Sequence, residues 1–247
     1  MCVFDDADPE GRTSFPEIKK TGANAVRIVW AIATDSKPTT STATLDALIS
    51  NAKANHLIPM IELHDATGEW HRLGELVDYW TEPTIVRIIK RYARYLLVNI
   101  GNEVGNDRVN QELFINGYTA ATQRMREAGI HTPLVIDAPG WGKNLTMLNN
   151  TAAALLASDP YYNVVFSVHP YWSIECDADE AFIRRNLQQA VNLNYPLVVG
   201  EFCEYGLPVQ KAWHKQVQRR RKDRLQDNPL RMSRTPNRLV RLGMGAG

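Results

Sequence analysis

Between residues 25 and 201 short apolar runs alternate with amphipathic stretches, and that order admits few folds. Residues 25–30, 57–64, 96–103, 132–137, 163–169 and 196–201 have the length and Val, Ile and Leu content of strands, several without the polar alternation of a half-exposed sheet. Segments 44–55, 83–95, 110–128, 148–157 and 179–193 read as helices, and a shorter helix at 15–21 leads through Gly22 into the first full strand. Thr42 and Thr44 are capping candidates for the second helix, Pro83 suits the first turn of the third, and Gly129 stops the fourth. Strands that alternate with helices predict a parallel sheet covered by helices. Right-handed crossovers then leave a closed barrel or a doubly wound sheet. Neither G-x-G-x-x-G after a strand nor G-x-x-x-x-G-K-[ST] is present, so nothing supports nucleotide cradling. A single (β/α)8 TIM barrel of about 250 residues fits the 247-residue length.

The expected barrel is incomplete at its first and last strands. Val3-Phe4 is the stub of a first strand, and after Glu201 no apolar run of strand length remains. From residue 207 onward eleven Lys or Arg face two Asp, a charge of +9, whereas the first 206 residues carry −8. The expectation is a barrel domain over 1–206 and a basic tail over 207–247 that is not part of it. A nucleic-acid arm, a divergent closing segment and out-of-frame sequence all fit such a tail. The last is preferred, because composition changes where the strand order breaks off. Three cysteines, Cys2, Cys176 and Cys203, lack C-x-x-C spacing and read as packed thiols. No run approaches the roughly 18 apolar residues of a membrane span. The acidic start, Asp5-Asp6, is unlike an export signal.

Polar side chains stand at or near the C-terminal ends of these strands: His64-Asp65, Asn102-Glu103, Asp137, His169-Pro170-Tyr171-Trp172 and Glu201, with Arg27 inside the first. One such residue alone is ordinarily a loop hydrogen-bonder. Six strand ends presenting them to one face have no packing rationale, and in a βα barrel that face is where chemistry is done. Glu103 and Glu201 each end an apolar run that reads as a buried parallel strand. Two facing carboxylates are the minimum equipment for cleaving a glycosidic bond.

The segments Ala23-Asn24-Ala25-Val26-Arg27-Ile28, Glu62-Leu63-His64-Asp65-Ala66-Thr67-Gly68, Asn99-Ile100-Gly101-Asn102-Glu103, Asp137-Ala138-Pro139-Gly140-Trp141-Gly142, His169-Pro170-Tyr171 and Val199-Gly200-Glu201-Phe202 occur in an order similar to glycoside hydrolase family 5. The chain most resembles its bacterial endo-β-1,4-mannanase branch, with the C-terminal part missing or divergent. The resemblance implies a retaining hydrolase with Glu103 as acid/base and Glu201 as nucleophile. It implies that Arg27 supports the nucleophile, that Tyr171 hydrogen-bonds it beside His169, and that Asn102 contacts the sugar 2-hydroxyl. His64 lines a subsite, and Trp141 and Trp172 are candidate sugar-stacking platforms. The family's strand-eight tryptophan has no counterpart in a strand here, since Trp213 sits among lysines.

The substrate expected from this resemblance is a β-1,4-linked polysaccharide, mannan first, with an endo-β-1,4-glucanase and an inactive carbohydrate-binding barrel as alternatives. No cofactor and no metal are expected: His64-Asp65 and His169 show no third ligand at metal-site spacing. Nucleic acid and membrane are not expected partners. The chain is expected to be a monomer, secreted by analogy with its family.

Overall fold

The computed structural model describes residues 2–3, 8–32, 40–172 and 178–202. All of them belong to one compact unit, Met1–Cys203. The expectations for Cys176, Cys203, Trp213 and the tail 207–247 fall outside the described residues.

Strand β1 (Cys2–Val3) precedes helix α1 (Ser14–Lys20), β2 (Ala25–Trp30), α2 (Thr42–Ala54) and β3 (Ile58–Leu63). A 3-10 turn (Trp70–Arg72) leads into α3 (Leu73–Trp80), then α4 (Pro83–Tyr92), β4 (Leu97–Asn99) and α5 (Gln111–Glu127). The remainder is β5 (Leu134–Asp137), α6 (Leu145–Ser158), β6 (Val164–Val168), α7 (Glu180–Leu193) and β7 (Leu197–Val199). All seven strands are parallel and each lies beside its neighbour in sequence, in the order β1-β2-β3-β4-β5-β6-β7. A doubly wound sheet reverses its strand order at a switch point. No reversal occurs here, so the winding is that of a (β/α)8 barrel, present in part.

Helix starts are set by side chains that accept the orphan amides of the first turn. Asn110 accepts from the Leu113 amide, Asn144 from Met147 and Asp179 from Phe182, at 2.7–2.9 Å. At α2 the cap is Ser41, whose Oγ lies 3.1 Å from the Thr44 amide, and not the expected Thr42 or Thr44. Helix α3 was not anticipated. It continues from the 3-10 turn and its N-cap, Arg72, makes no side-chain capping bond, so no start signal marks it. Leu73, Leu76, Val77 and Trp80 nonetheless repeat at helical spacing, and all four are buried.

The helix-facing side of the sheet and the helices' apolar stripes make one continuous core. Its two fully buried indoles keep their N–H groups satisfied: Trp30 Nε1 donates to Tyr79 Oη at 2.7 Å, and Trp80 Nε1 to the Ile100 carbonyl at 2.9 Å. The expectation that β7 is a buried strand is corrected. Val198 and Val199 are 36% and 45% exposed, because β7 pairs only with β6 among the described residues. At the other end of the strand order, β1 pairs only with β2 among the described residues.

At the end of the sheet opposite the polar strand ends, a buried ion pair fixes the entries to two strands. Arg126, in the last turn of α5, donates Nε and Nη2 to the two oxygens of Asp159 at 2.9 and 2.8 Å. Its remaining donors reach the carbonyls of Ile130, Thr132 and Asn163, just before β5 and β6. Asp159 also accepts the amides of Tyr161 and Asn163. Removing one member strands the other as an uncompensated buried charge. Asp159→Ala is therefore expected to lower unfolding stability by about 3–5 kcal/mol, read from urea denaturation. A change inside the scatter of an ordinary surface substitution would contradict this assignment.

Candidate active site

Six strands deliver polar groups to one end of the sheet, and Arg27 joins most of them. It lies on β2 and is 5% exposed. One guanidinium nitrogen, Nη1, pairs with Glu201, which follows β7. The other, Nη2, donates to Asn102 Oδ1 at 2.7 Å and pairs with Glu62 on β3. A guanidinium has the planar fork and permanent charge for such a junction. Four separate strands thus meet on one side chain.

Glu201 is held on both oxygens. Oε1 faces Arg27, and Oε2 accepts the Tyr171 hydroxyl at 2.5 Å, with His169 Nδ1 3.9 Å away. Burial pushes its pKa up, but the charge of His169, the Tyr171 hydroxyl and Arg27 outweigh it. The net effect holds the carboxyl below the usual carboxylate range.

Glu103 is placed differently. The β4 ladder ends at Asn99 and the chain then runs through Gly101 to Glu103, whose φ is +49°. That left-handed conformation is uncommon for a residue with a side chain. Backbone contacts hold it there: its N–H donates to Asp137 Oδ2 at 2.9 Å and its carbonyl accepts the Gly68 amide at 2.8 Å. Its Oε1 lies 2.8 Å from His169 Nδ1.

His169 is fully buried between carboxylates. Besides Glu103 and Glu201, Asp137 Oδ2 stands 3.6 Å from Nε2. Burial lowers its pKa, whereas Asp137, Glu103 and Glu201 raise it and prevail. The ring is wedged against Gly142, where φ is +74° and a Cβ would come within 2.8 Å of the imidazole. The backbone N–H of His169 donates to the Gly142 carbonyl at 2.7 Å.

The site thus brings together Arg27, Asn102, Glu103, His169, Tyr171 and Glu201 from the sequence expectation. His64 lies at the margin, exposed, with Nδ1 3.0 Å from Glu62 and Nε2 3.3 Å from Asn102 Nδ2. Its pKa is raised, by the Glu62 hydrogen bond before anything else. Asn102 Nδ2 also donates to Thr67 Oγ1 at 2.9 Å.

Trp141 is half-buried, at φ +55°, and its indole lies over Gly68, where a Cβ would sit 2.4 Å from Nε1. Trp172 corrects its expected role as an open platform. It is 7% exposed, donates Nε1 to the Lys143 carbonyl at 3.0 Å and packs edge-on against Phe182. An indole covered in this way serves packing.

The expectation that His169 lacks a third ligating group within reach is also corrected. Glu103, His169 and Glu201 bring one donor atom each within 4.8 Å of one another. Those donors are engaged by one another and by Arg27 and Tyr171, which already supply the positive charge and the proton that Glu201 faces.

Several working residues escaped the sequence reading. Glu62 is fully buried, ties Arg27 to His64, and has a pKa raised by burial against the opposing pull of His64 and Arg27. Asn99 donates to Asp137 Oδ1 at 2.9 Å. Parity carries the missing signal: Glu62 precedes His64 by two residues, and Ser167 precedes His169 by two. Residues two apart share a face of a strand.

The cellulase family, glycosyl hydrolase family 5, matches residues 5–221 of the chain, a span that runs past Gly206. The chain belongs to glycosyl hydrolase family 5. Among its relatives, a mannan endo-1,4-beta-mannosidase of Cellvibrio japonicus (strain Ueda107) is 34% identical over 198 residues, 76% of this chain and 43% of the relative. A mannan endo-1,4-beta-mannosidase of Streptomyces lividans is 35% identical over 201 residues, 78% of this chain and 50% of the relative. The family 5 chain spans about half the length of these relatives. In structure it is similar to the beta-mannanase of Thermomonospora fusca in its mannotriose complex. The TM-score there is 0.74 at 32% identity, over 88% of this chain and 74% of the other.

The Glu201 environment yields a test with a definite sign. Removing the Tyr171 hydroxyl takes away a donor that favours the ionised carboxylate, so the Glu201 pKa rises towards its ordinary value. Tyr171→Phe is expected to move the acid limb of kcat/KM to higher pH, by about one unit or less. A limb that stays in place would remove Tyr171 from the control of Glu201.

Proposed function

We propose that the chain is the catalytic barrel of a retaining endo-β-1,4-mannanase. The observation that carries this reading is the closeness of Glu103 and Glu201, whose facing oxygens lie within 4.8 Å. Retaining glycosidases keep their two carboxyl groups about 5–5.5 Å apart, and inverting ones leave about 6.5–9.5 Å for a water. The names of the relatives supply the polymer.

In the first step the ionised Glu201 attacks the anomeric carbon while the glycosidic C–O bond breaks, and Glu103 gives its proton to the departing oxygen. In the second step Glu103, now a carboxylate, takes a proton from water as that water attacks the anomeric carbon, and the ester to Glu201 breaks. Arg27 and Tyr171 favour the ionised nucleophile before attack and after release. Asn102, fixed by Arg27 and Thr67, is placed for the sugar 2-hydroxyl, a contact that strengthens towards the oxocarbenium-like transition state. His64 and the half-buried Trp141 are assigned to binding sugar at the margin. A polymer of this kind is met outside the cell, so the reading carries an extracellular place of action.

A Beta-mannanase/endoglucanase A from Caldicellulosiruptor saccharolyticus, 28% identical over 203 residues, gives the glucan alternative some footing. Initial rates on mannan and on carboxymethyl-cellulose separate the two, with mannan expected to be faster. Glu201→Ala is expected to reduce hydrolysis by about 10⁴-fold or more. Proton NMR of the first product should show the β-anomer before mutarotation. Undiminished turnover by Glu201→Ala, or initial release of the α-anomer, would defeat the assignment.

A further inference from the structure

We propose that Asp137 is a positioning residue for Glu103: a single carboxylate oxygen holds the Glu103 backbone and faces the far side of His169. The inference rests on the reading of Glu103 as acid/base, and extends it to a residue that touches no substrate.

Asp137 is the last residue of β5 and is fully buried. Both of its oxygens are occupied from the β4 side. Oδ1 accepts Asn99 Nδ2 and Oδ2 accepts the Glu103 amide, each at 2.9 Å. The second bond acts where φ is +49°, so it stabilises a conformation that the chain does not favour by itself. A carboxylate is needed there because two donors point at it. An asparagine would present an N–H to one of them.

The same Oδ2 stands 3.6 Å from His169 Nε2, and His169 Nδ1 stands 2.8 Å from Glu103 Oε1. Asp137, His169 and Glu103 therefore form a line of carboxylate, imidazole and carboxylate, closed upon itself by the Glu103 amide. His169 Nε2 is buried and makes no hydrogen bond, so its nearest charge is that of Asp137. The charged and titratable groups around the ring are Asp137 from β5, Glu103 from the end of β4 and Glu201 from the end of β7. Arg27 and Tyr171 contact Glu201, and Tyr118 and Glu62 are also within the electrostatic reach of Asp137. Gly200 closes the pocket, since a Cβ there would lie 2.6 Å from Nε2 and 2.4 Å from Ser167 Oγ.

The consequence is electrostatic as well as steric. With Asp137 ionised, an imidazolium is favoured at His169, and its Nδ1–H is directed at Glu103. That Nδ1 proton sits on the 2.8 Å contact with Glu103 Oε1. Removing the Asp137 charge makes that proton easier to lose, so the alkaline limb of activity falls to lower pH. A residue that only supported the fold would lower kcat without moving the limb.

The test has two readouts. The first is the pH profile of kcat/KM for Asp137→Asn on mannan, whose alkaline limb is expected about one unit below that of the parent. A limb at the parent's pH overturns the proposal. The second is the ¹⁵N NMR titration of His169, assigned with His169→Asn. In the parent protein both ring nitrogens are expected to be protonated at pH 7, and the midpoint is expected to fall in Asp137→Asn. A neutral His169 in the parent at pH 7, or equal midpoints, overturns it. The parent titration decides the matter even where Asp137→Asn does not fold. It also needs no substrate, so it is separate from any failure of the mannanase reading.

Discussion

The site depends on one cation. Arg27 sits inside the sheet with two carboxylates and an amide oxygen on its fork, and these partners come from β3, from the loop after β4 and from the end of β7. Burying a charge in a protein interior is costly unless it is paired and hydrogen-bonded, and Arg27 meets both conditions. The requirement runs in both directions. Glu62 and Glu201 are tolerable in a largely desolvated region because Arg27 is there. The same electrostatics therefore tie the strand ends to one another and favour the ionised form of Glu201.

Around that cation the two glutamates proposed as the catalytic pair occupy unlike environments. Glu201 meets a guanidinium, a phenol and an imidazole, all of which favour its anion. Glu103 meets a single imidazole, through one oxygen, while its backbone is fixed by Asp137. The proposed double displacement calls for such an asymmetry, because one carboxylate must remain charged while the other gives and regains a proton. The division of labour follows from the neighbours and not from the glutamates, which are chemically identical.

Much of the architecture was legible in the sequence. The first full strand and the start of α4 at Pro83 fall where Val, Ile and Pro placed them, and the strand-end polar set maps onto one face as expected. What was not legible has physical causes. Helix α3 has neither cap nor proline to announce it. The run 96–103 outlasts β4, which ends at Asn99: Ile100 beyond it is still buried, and its carbonyl accepts the Trp80 indole N–H. Glu62 was hidden inside an apolar strand, since its partner Arg27 is distant in sequence and only the pairing of β2 with β3 brings the two together. Trp172 departs from its expected role because a tryptophan beside a strand-end site can turn outward or towards the core, and here it packs on Phe182 of α7. The closeness of Glu103 and Glu201 could be anticipated only through family resemblance.

The exposed last strand has a consequence for how the molecule meets acid. β7 carries Glu201 and pairs with β6 alone among the described residues, so the contacts of Glu201 with Arg27 and Tyr171 also serve as lateral fastening for its end. The folded pKa of Glu201 lies below its unfolded value, so its ionisation contributes stability above an unfolded pKa of about 4.3. That contribution is lost as pH falls through the depressed folded value. Protonation of Glu201 would thus weaken its hold on Arg27 and Tyr171 and, in the proposed mechanism, remove the attacking carboxylate in the same event.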